Sequence, residues 1–554
     1  MVLCVLLLWP ARAAFGSDSR PLVSGKHLAK LARAGRPVFV VHARIQGRVR
    51  LPPIVRAPFV LRNSRLAGGL DGASAEFQSM VDLSGDHFSG SVDLAGAHFD
   101  APFVFRGVTA ARAHFDFGRF TDVSLFTGAV FNGSTSFAAV EFSGPARFTG
   151  ATFNGPTLFS SSSFRRPVDF EAANFKRTVS FALAEFESHA DFTAAQLVGI
   201  SRFDGVRFAR APDFRGTQFG PEQTRDGRPV LCANGNYVWT TFCNARLEQG
   251  ADFLGASFRG VSFSGASAVG SLDFSAAQFR GSPNCVAGIP EASATGVADF
   301  STTAFVGPLS FTNADFDCLA NFDQARIDDL DLSGATLQRL WFPRQRNPSP
   351  AQQLGRIGEL HLSMSDVSKI EVPPSSSVRA RRRELEGVLQ LVEDGARAGG
   401  DLSTANEARV RRLSLVRASR PPFTRLLDWT VWWGLLGYLV RPSHQAIAIA
   451  VVLLGGLTAR LLAVNFVEVS AAAAPAAGRI RSWPQRLGHG FRIDSRRLRP
   501  AFNDLLGVLF RFRPPTEGGW RLFEYLLLKF LIVVLAINIG NVWPAFRTLV
   551  EGVF

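Results

Sequence analysis

The chain has 554 residues and a formal charge of +14, and its five Lys lie at 26, 30, 176, 369 and 529, so its basicity is almost wholly Arg. That length excludes a single ordinary hydrophobic core, and several parts are expected. Fifty Phe against three Tyr and three Met excludes an interior of ordinary mixed composition, because large rings without polar tips are wanted at fixed places.

The N-terminus reads as a leader. Val2–Trp9, "VLCVLLLW", is a short apolar run, and Ala11–Arg12–Ala13 supplies small residues before a cut after Ala13. This is signal-peptide geometry over residues 1–13, too short to span a bilayer. Removal takes Cys4 and leaves Cys232, Cys243, Cys285 and Cys318. An even number in an oxidising compartment permits disulfides, with three pairings open. Cys232–Cys243 closes a local loop and is preferred, which leaves Cys285–Cys318; four thiols are the alternative. Residues 20–60 form an N-terminal cap. Ser24 followed by "GKHLAKLARAG" predicts a short helix ending at Gly35, and "PVFVVHARIQGRV" (37–49) predicts a strand.

From residue 61 to 342 a rhythm takes over. In "FTGAVFNGSTSFAAVEFSGPARF" (126–148) Phe falls at intervals of 5, 6, 5 and 6. The same spacing runs upstream through Leu61, Leu66, Phe77, Leu83 and Phe88, and downstream at Phe253, Phe258, Phe263, Phe300, Phe305 and Phe311. Such a spacing walks around a helix and makes no stripe. Gly, Ser, Thr, Asn and Pro fill the gaps, as turns require. Short strands separated by turns fit, winding so that each Phe faces one shared interior. That is a solenoid, whose repeats bury their apolar face only by stacking.

"VDLSG" (81–85), "VDLAG" (92–96) and "LDLSGATL" (330–337) resemble the A-(D/N)-L-x-x unit of pentapeptide repeat proteins, with the Phe-centred 11-residue form as a variant. The resemblance implies a mainly-β fold, a right-handed quadrilateral β-helix. With sides alternating between five and six, one coil takes 22 residues. Coils then stack at about 4.8 Å. Residues 220–241 and 281–298 break the rhythm and are expected to bulge out as loops, where binding often lives.

Coil length selects neighbours. His87, His98 and His114 fall on different sides, so they make no metal cluster. Asp169, Asp191 and Asp213 recur every 22 residues, each before a Phe, with Arg147 one coil earlier. Carboxylates at about 4.8 Å repel by about 0.9 kcal/mol per pair even at the dielectric of water. The column is expected to be a solvated ladder, with a Ca²⁺-like cation site as the alternative. Asn132 and Asn154 stack in the same way. No nucleophile–base set, zinc motif or dinucleotide fingerprint appears, so no catalytic residue and no cofactor is assigned.

Residues 343–377 carry the last coil and a "PPSSS" linker (373–377). Residues 378–420 predict a helical hairpin, with Leu385, Val388, Leu389 and Val392 at helical spacing and a break at Gly399–Gly400–Asp401. Residues 426–442 are aromatic-rich, like an interfacial anchor. Two apolar runs at 446–466 and 522–545 have spanning length. The Arg-rich loop between them, 467–521, places itself in the cytoplasm by the positive-inside rule. Arg460, Glu524 and Lys529 then all lie near the inner surface and can snorkel.

This order resembles bacterial repeat proteins that end in a two-helix, channel-like module. Those carry a potassium-filter sequence between the helices, and this chain has none. The resulting expectation is a non-enzymatic scaffold or binding protein of a bacterial envelope. It is anchored in the inner membrane with its repeats outside, and its partners are the lipid bilayer and an envelope protein or polysaccharide. A channel-like or transport-associated protein is the alternative. Nucleic acid is not an expected partner: mimicry of DNA, known among pentapeptide solenoids, needs an acidic surface.

Overall fold

The computed structural model describes residues 20–221, 230–231, 237–281, 297–341, 356–372 and 378–418, together with residue 450. The Phe rhythm becomes structure at its corners. In the five-residue intervals the carbonyl of Phe126 accepts the N–H of Ala129 at 3.0 Å, and Gly128 between them sits at φ +64°. This is type II turn chemistry, with a left-handed third residue. It recurs at Ala139, Gly150, Ser161 and Ala172. The six-residue intervals turn by close contact instead. A Cβ at Gly133 would stand 2.4 Å from the carbonyl oxygen of Ala111 in the coil before, so this corner takes Gly, while Arg177 holds the equivalent place two coils on.

Between corners lie strands of two or so residues that pair in parallel with the coils on either side. Phe131 is in register with Phe153, Phe153 with Phe175, and Phe175 with Leu197. Each coil has four sides, and each side points two residues inward. In the coil of Phe126 these are Ala129 and Phe131, Thr135 and Phe137, Val140 and Phe142, then Ala146 and Phe148, all buried. The result is a mainly-β parallel solenoid of about 13 turns. Four columns of rings fill its interior. Phe142, Phe164 and Phe186 stack at 4.9 and 4.8 Å between centroids, within 6° of parallel.

The coils begin earlier than the sequence rhythm suggests. Helix α1 (Gly25–Arg33) is present, but Ser24 makes no side-chain cap. The stretch 37–49 is not one strand. It is three, Val38–Val41, Arg44–Gln46 and Val49–Arg50, because His42 at φ +60° and Gly47 at φ +76° already turn the corners. Val38 pairs with Phe59 and Ile45 with Leu66, so this segment is the first coil. Phe was a poor guide here because Val38, Ile45, Val49 and Val55 hold the inward positions. Helix α1 caps that coil, with Leu28, Ala29 and Ala32 buried, and the strand Leu22–Ser24 before it pairs with Arg44–Gln46.

The interruptions at 220–241 and 281–298 fall largely outside the described residues, but the stack crosses both. Ser201 pairs with Thr240 and Val261 with Ala298, and the rings of Phe203 and Phe242 still stack at 4.6 Å. The coils continue through Arg356–His361, paired with Arg326–Asp331, and end at Ile370–Glu371, paired with Leu340–Trp341.

The helical hairpin is present as α2 (Val378–Ala398) and α3 (Leu402–Ala418). Gly400 at φ +79° ends the first helix. Asp401 starts the second, its Oδ1 accepting the N–H groups of Ser403 and Thr404 at 3.1 Å each. Val388, Leu389 and Val392 are buried as expected, and so are Ala405 and Ala408. Among the described residues no helix is long and apolar enough to cross a membrane. The leader (1–13), the interfacial segment (426–442), both expected spans and their connecting loop lie outside the described residues, but for residue 450.

Candidate functional site

The solenoid brings Arg147, Asp169, Asp191 and Asp213 into one outward column, as the coil length requires. The column is longer than the sequence arithmetic gave. Asp213 pairs with Asp252 and Asp252 with Asp273. The 39-residue step from Asp213 to Asp252 spans an insertion, and counting by 22 passes over it. The legible signal was local: Asp252 and Asp273 also stand directly before a Phe.

These carboxylates have a structural task. Oδ1 of Asp169, Asp191, Asp213, Asp252 and Asp273 accepts the backbone N–H two residues on, at 2.8, 2.8, 3.0, 2.9 and 2.8 Å. Each is an Asx turn that closes the next corner. Two of the outer oxygens are hydrogen-bonded as well. Thr149 Oγ1 donates to Asp169 Oδ2 at 2.7 Å, and Arg215 Nε donates to Asp213 Oδ2 at 2.9 Å. Burial pushes the Asp213 carboxyl up, but hydrogen bonds and charge from Arg215 outweigh it and hold it below the usual range. At Asp252 burial dominates, Asp213 and Asp273 add repulsion, and its carboxyl is raised. Among the described residues no group of three or more His, Cys, Asp or Glu is placed to hold a metal ion. The ladder is accounted for by turns, hydroxyls and Arg215.

The three His occupy different sides, on His87–Asp93, His98–Phe99 and Thr109–His114. Asn154 Nδ2 donates to Asn132 Oδ1 at 3.0 Å, the amide ladder expected. Cys243 is a thiol, not half of the preferred bridge to Cys232, and its Sγ donates to Ser262 Oγ at 3.6 Å. Cys318 is disulfide-bonded. Cys232 and Cys285 lie outside the described residues.

Two features escaped the sequence reading. The first is Asp86, 1% exposed. It stands two residues before Phe88, where other coils carry Ala, Ser, Thr or Val. Its Oδ1 accepts the Ser64 N–H at 2.7 Å, and its Oδ2 has no hydrogen-bond partner among the described residues. Burial pushes its carboxyl up to about 8; the Ser64 N–H opposes this and the Asp82 charge adds to it.

The second is the distribution of charge. Between Arg20 and Leu70 the chain has eleven Lys and Arg and no Asp or Glu. From Asp71 to Val372 it has 23 Lys and Arg against 32 Asp and Glu. The basicity is therefore not evenly spread: the solenoid has a cationic first end and an anionic body. Near that end a recess of ≈ 570 Å³ is lined by Arg20, His42, Asn63, Arg65, His87 and Ser89. Arg65 and His87 of its wall stand in register on successive coils, with Arg44 in register on the coil before.

A four-sided parallel solenoid with Phe-filled coils and Asx-turned Asp corners defines a β-solenoid repeat protein. Comparison with known families agrees: a profile for pentapeptide repeats (9 copies) matches residues 119–163 and 148–196. That segment of the chain is made of pentapeptide repeats. No curated protein and no solved structure matches the chain.

Proposed function

We propose that the chain is a membrane-anchored, non-enzymatic scaffold of a bacterial envelope, which presents the sides of a stiff solenoid to a protein or polysaccharide partner. The observation that carries this reading is the continuity of the ring stacks. One runs from Phe77 through Phe99, Phe120, Phe142 and Phe164 to Phe186, and others persist to Phe322. Such an interior is solid, so its recognition chemistry sits on outward columns, as in other solenoids. The apolar runs at 446–466 and 522–545 supply the anchor, and the leader supplies the export. Cys285 is the partner that this reading gives to Cys318, in the oxidising space outside the membrane.

Protease shaving of intact cells tests it. Loss of the Phe-rich segment with survival of residues 446–545 is the expected result. Complete protection of the repeats, which lysis then abolishes, would place them inside and end the proposal.

A further inference from the structure

Between Arg20 and Leu70 the first end of the solenoid carries cations and no acidic residue, while Asp71 and Asp82 of the following coils reach Arg48, Arg50 and Arg62. Helix α1 lies across the first coil. A Cβ on its Gly25 would come 3.1 and 3.2 Å from the carbonyl oxygens of Gly47 and Arg48, and Leu28, Ala29 and Ala32 face the coil. Its other face carries Lys26, Lys30 and Arg33, with Arg36 just beyond, all exposed. Beside these cations the same end exposes large apolar groups: Leu22 at 64%, Phe39 at 63% and Val41 at 59%. Phe39 and Val41 point outward from one side and Leu22 stands in register with Arg44 on the next, so the apolar groups straddle the corner at His42.

We propose that this end docks on an anionic lipid surface. The argument is charge complementarity joined to the apolar rim. Cations alone would suit any polyanion, but Leu22, Phe39 and Val41 gain by leaving water for the headgroup boundary, as the apolar groups of interfacial segments do. Anionic lipid attracts each nearby Lys or Arg. The recess of Arg20, His42, Arg65 and His87 offers donors to a headgroup phosphate. The anionic body is repelled by the same surface, so the solenoid meets it end-on. The inference does not depend on how residues 446–545 are anchored.

The test uses the full chain in phosphatidylcholine vesicles, or in solution should it not incorporate. It is mixed with dye-labelled phosphatidylcholine vesicles with or without phosphatidylglycerol, and flotation reads capture. Capture of only the anionic vesicles, weakening with salt, is expected. Replacing Lys26, Lys30, Arg33 and Arg36 together by Gln keeps good helix formers and should lower apparent affinity about 1,000-fold. Phe39→Ser should weaken capture about 10-fold with the salt dependence unchanged. Circular dichroism of both variants checks that they fold. Equal capture of neutral vesicles, or wild-type capture by the Gln variant, overturns the proposal. So does a surface that binds duplex DNA with Phe39→Ser unaffected, which would make it a nucleic-acid site, or vesicle-independent self-association lost in the Gln variant, which would make the occupant a second copy.

Discussion

Phe126 and Phe148, one coil apart, hold their rings 4.7 Å between centroids and 3° from parallel. Phe126 also meets Phe137 from across the interior at 5.2 Å and 88°. Each ring therefore stacks along the axis and meets its neighbours edge to face, both favoured by the ring quadrupole. Tyr could copy the shape but not the environment. A hydroxyl inside the column would have only ring faces around it, and burying one without a partner costs roughly 1–3 kcal/mol. This explains why Phe so outnumbers Tyr.

Phe148→Tyr should therefore destabilise the solenoid by about 2 kcal/mol, and Phe148→Ala by about 3–5 kcal/mol through the cavity it opens. Phe148→Leu should cost less than either, because Leu197 and Leu247 already hold such positions, fully buried. Urea denaturation gives the order. Tyr tolerated as well as Phe would mean the columns are hydrated.

Phe117 is 72% exposed and sits at φ +58°. Its side chain buries little, while its backbone occupies the left-handed region at a cost of roughly 1–2 kcal/mol. Phe117→Gly should raise stability by about 1 kcal/mol. A lower melting temperature in the variant would show that the exposed ring contributes more than the strain removes.

Coil length, side number and the hairpin were legible because each rests on a repeated local requirement. Every second corner takes a left-handed residue, most sides take one Phe or Leu, and Asp401 stands where a helix must start. What was not legible rests on single exceptions. The first coil hid because Val38, Ile45 and Val55 replace Phe. Asp252 and Asp273 hid behind an insertion. Asp86 hid because one carboxyl in a small-residue column breaks no spacing. The cationic end does not show in the net charge, because the Arg-rich segment beyond Val372 masks the acidic body.

Glu393 ties the hairpin together. It is 5% exposed, and Arg412 Nη2 donates to its Oε2 at 2.7 Å while Arg397 Nη2 donates to its Oε1 at 3.1 Å. Glu393→Ala should cost about 3 kcal/mol, since Arg412 keeps its charge with its partner gone. Glu393→Leu with Arg412→Leu should recover most of that. A double-mutant cycle on thermal unfolding checks it; strict additivity would show that the pair is uncoupled.

Asp86 gives the solenoid a pH dependence of unusual sign. Its carboxyl is raised from 3.8 to about 8 in the folded chain, so between those values the folded state holds a proton that the unfolded state has lost. Stability then falls as pH rises. The contribution of the neutral carboxyl is intact below the unfolded value and is lost progressively until pH passes about 8. Most paired carboxylates act the other way, failing in acid. Asp86→Asn keeps an oxygen for the Ser64 N–H and carries no titrating proton. It should be more stable than the wild type by a few kcal/mol at pH 9, with the gap closing toward pH 4. Denaturation midpoints of both chains across that range decide it. Parallel curves would mean that Asp86 ionises in place, with water reaching its Oδ2.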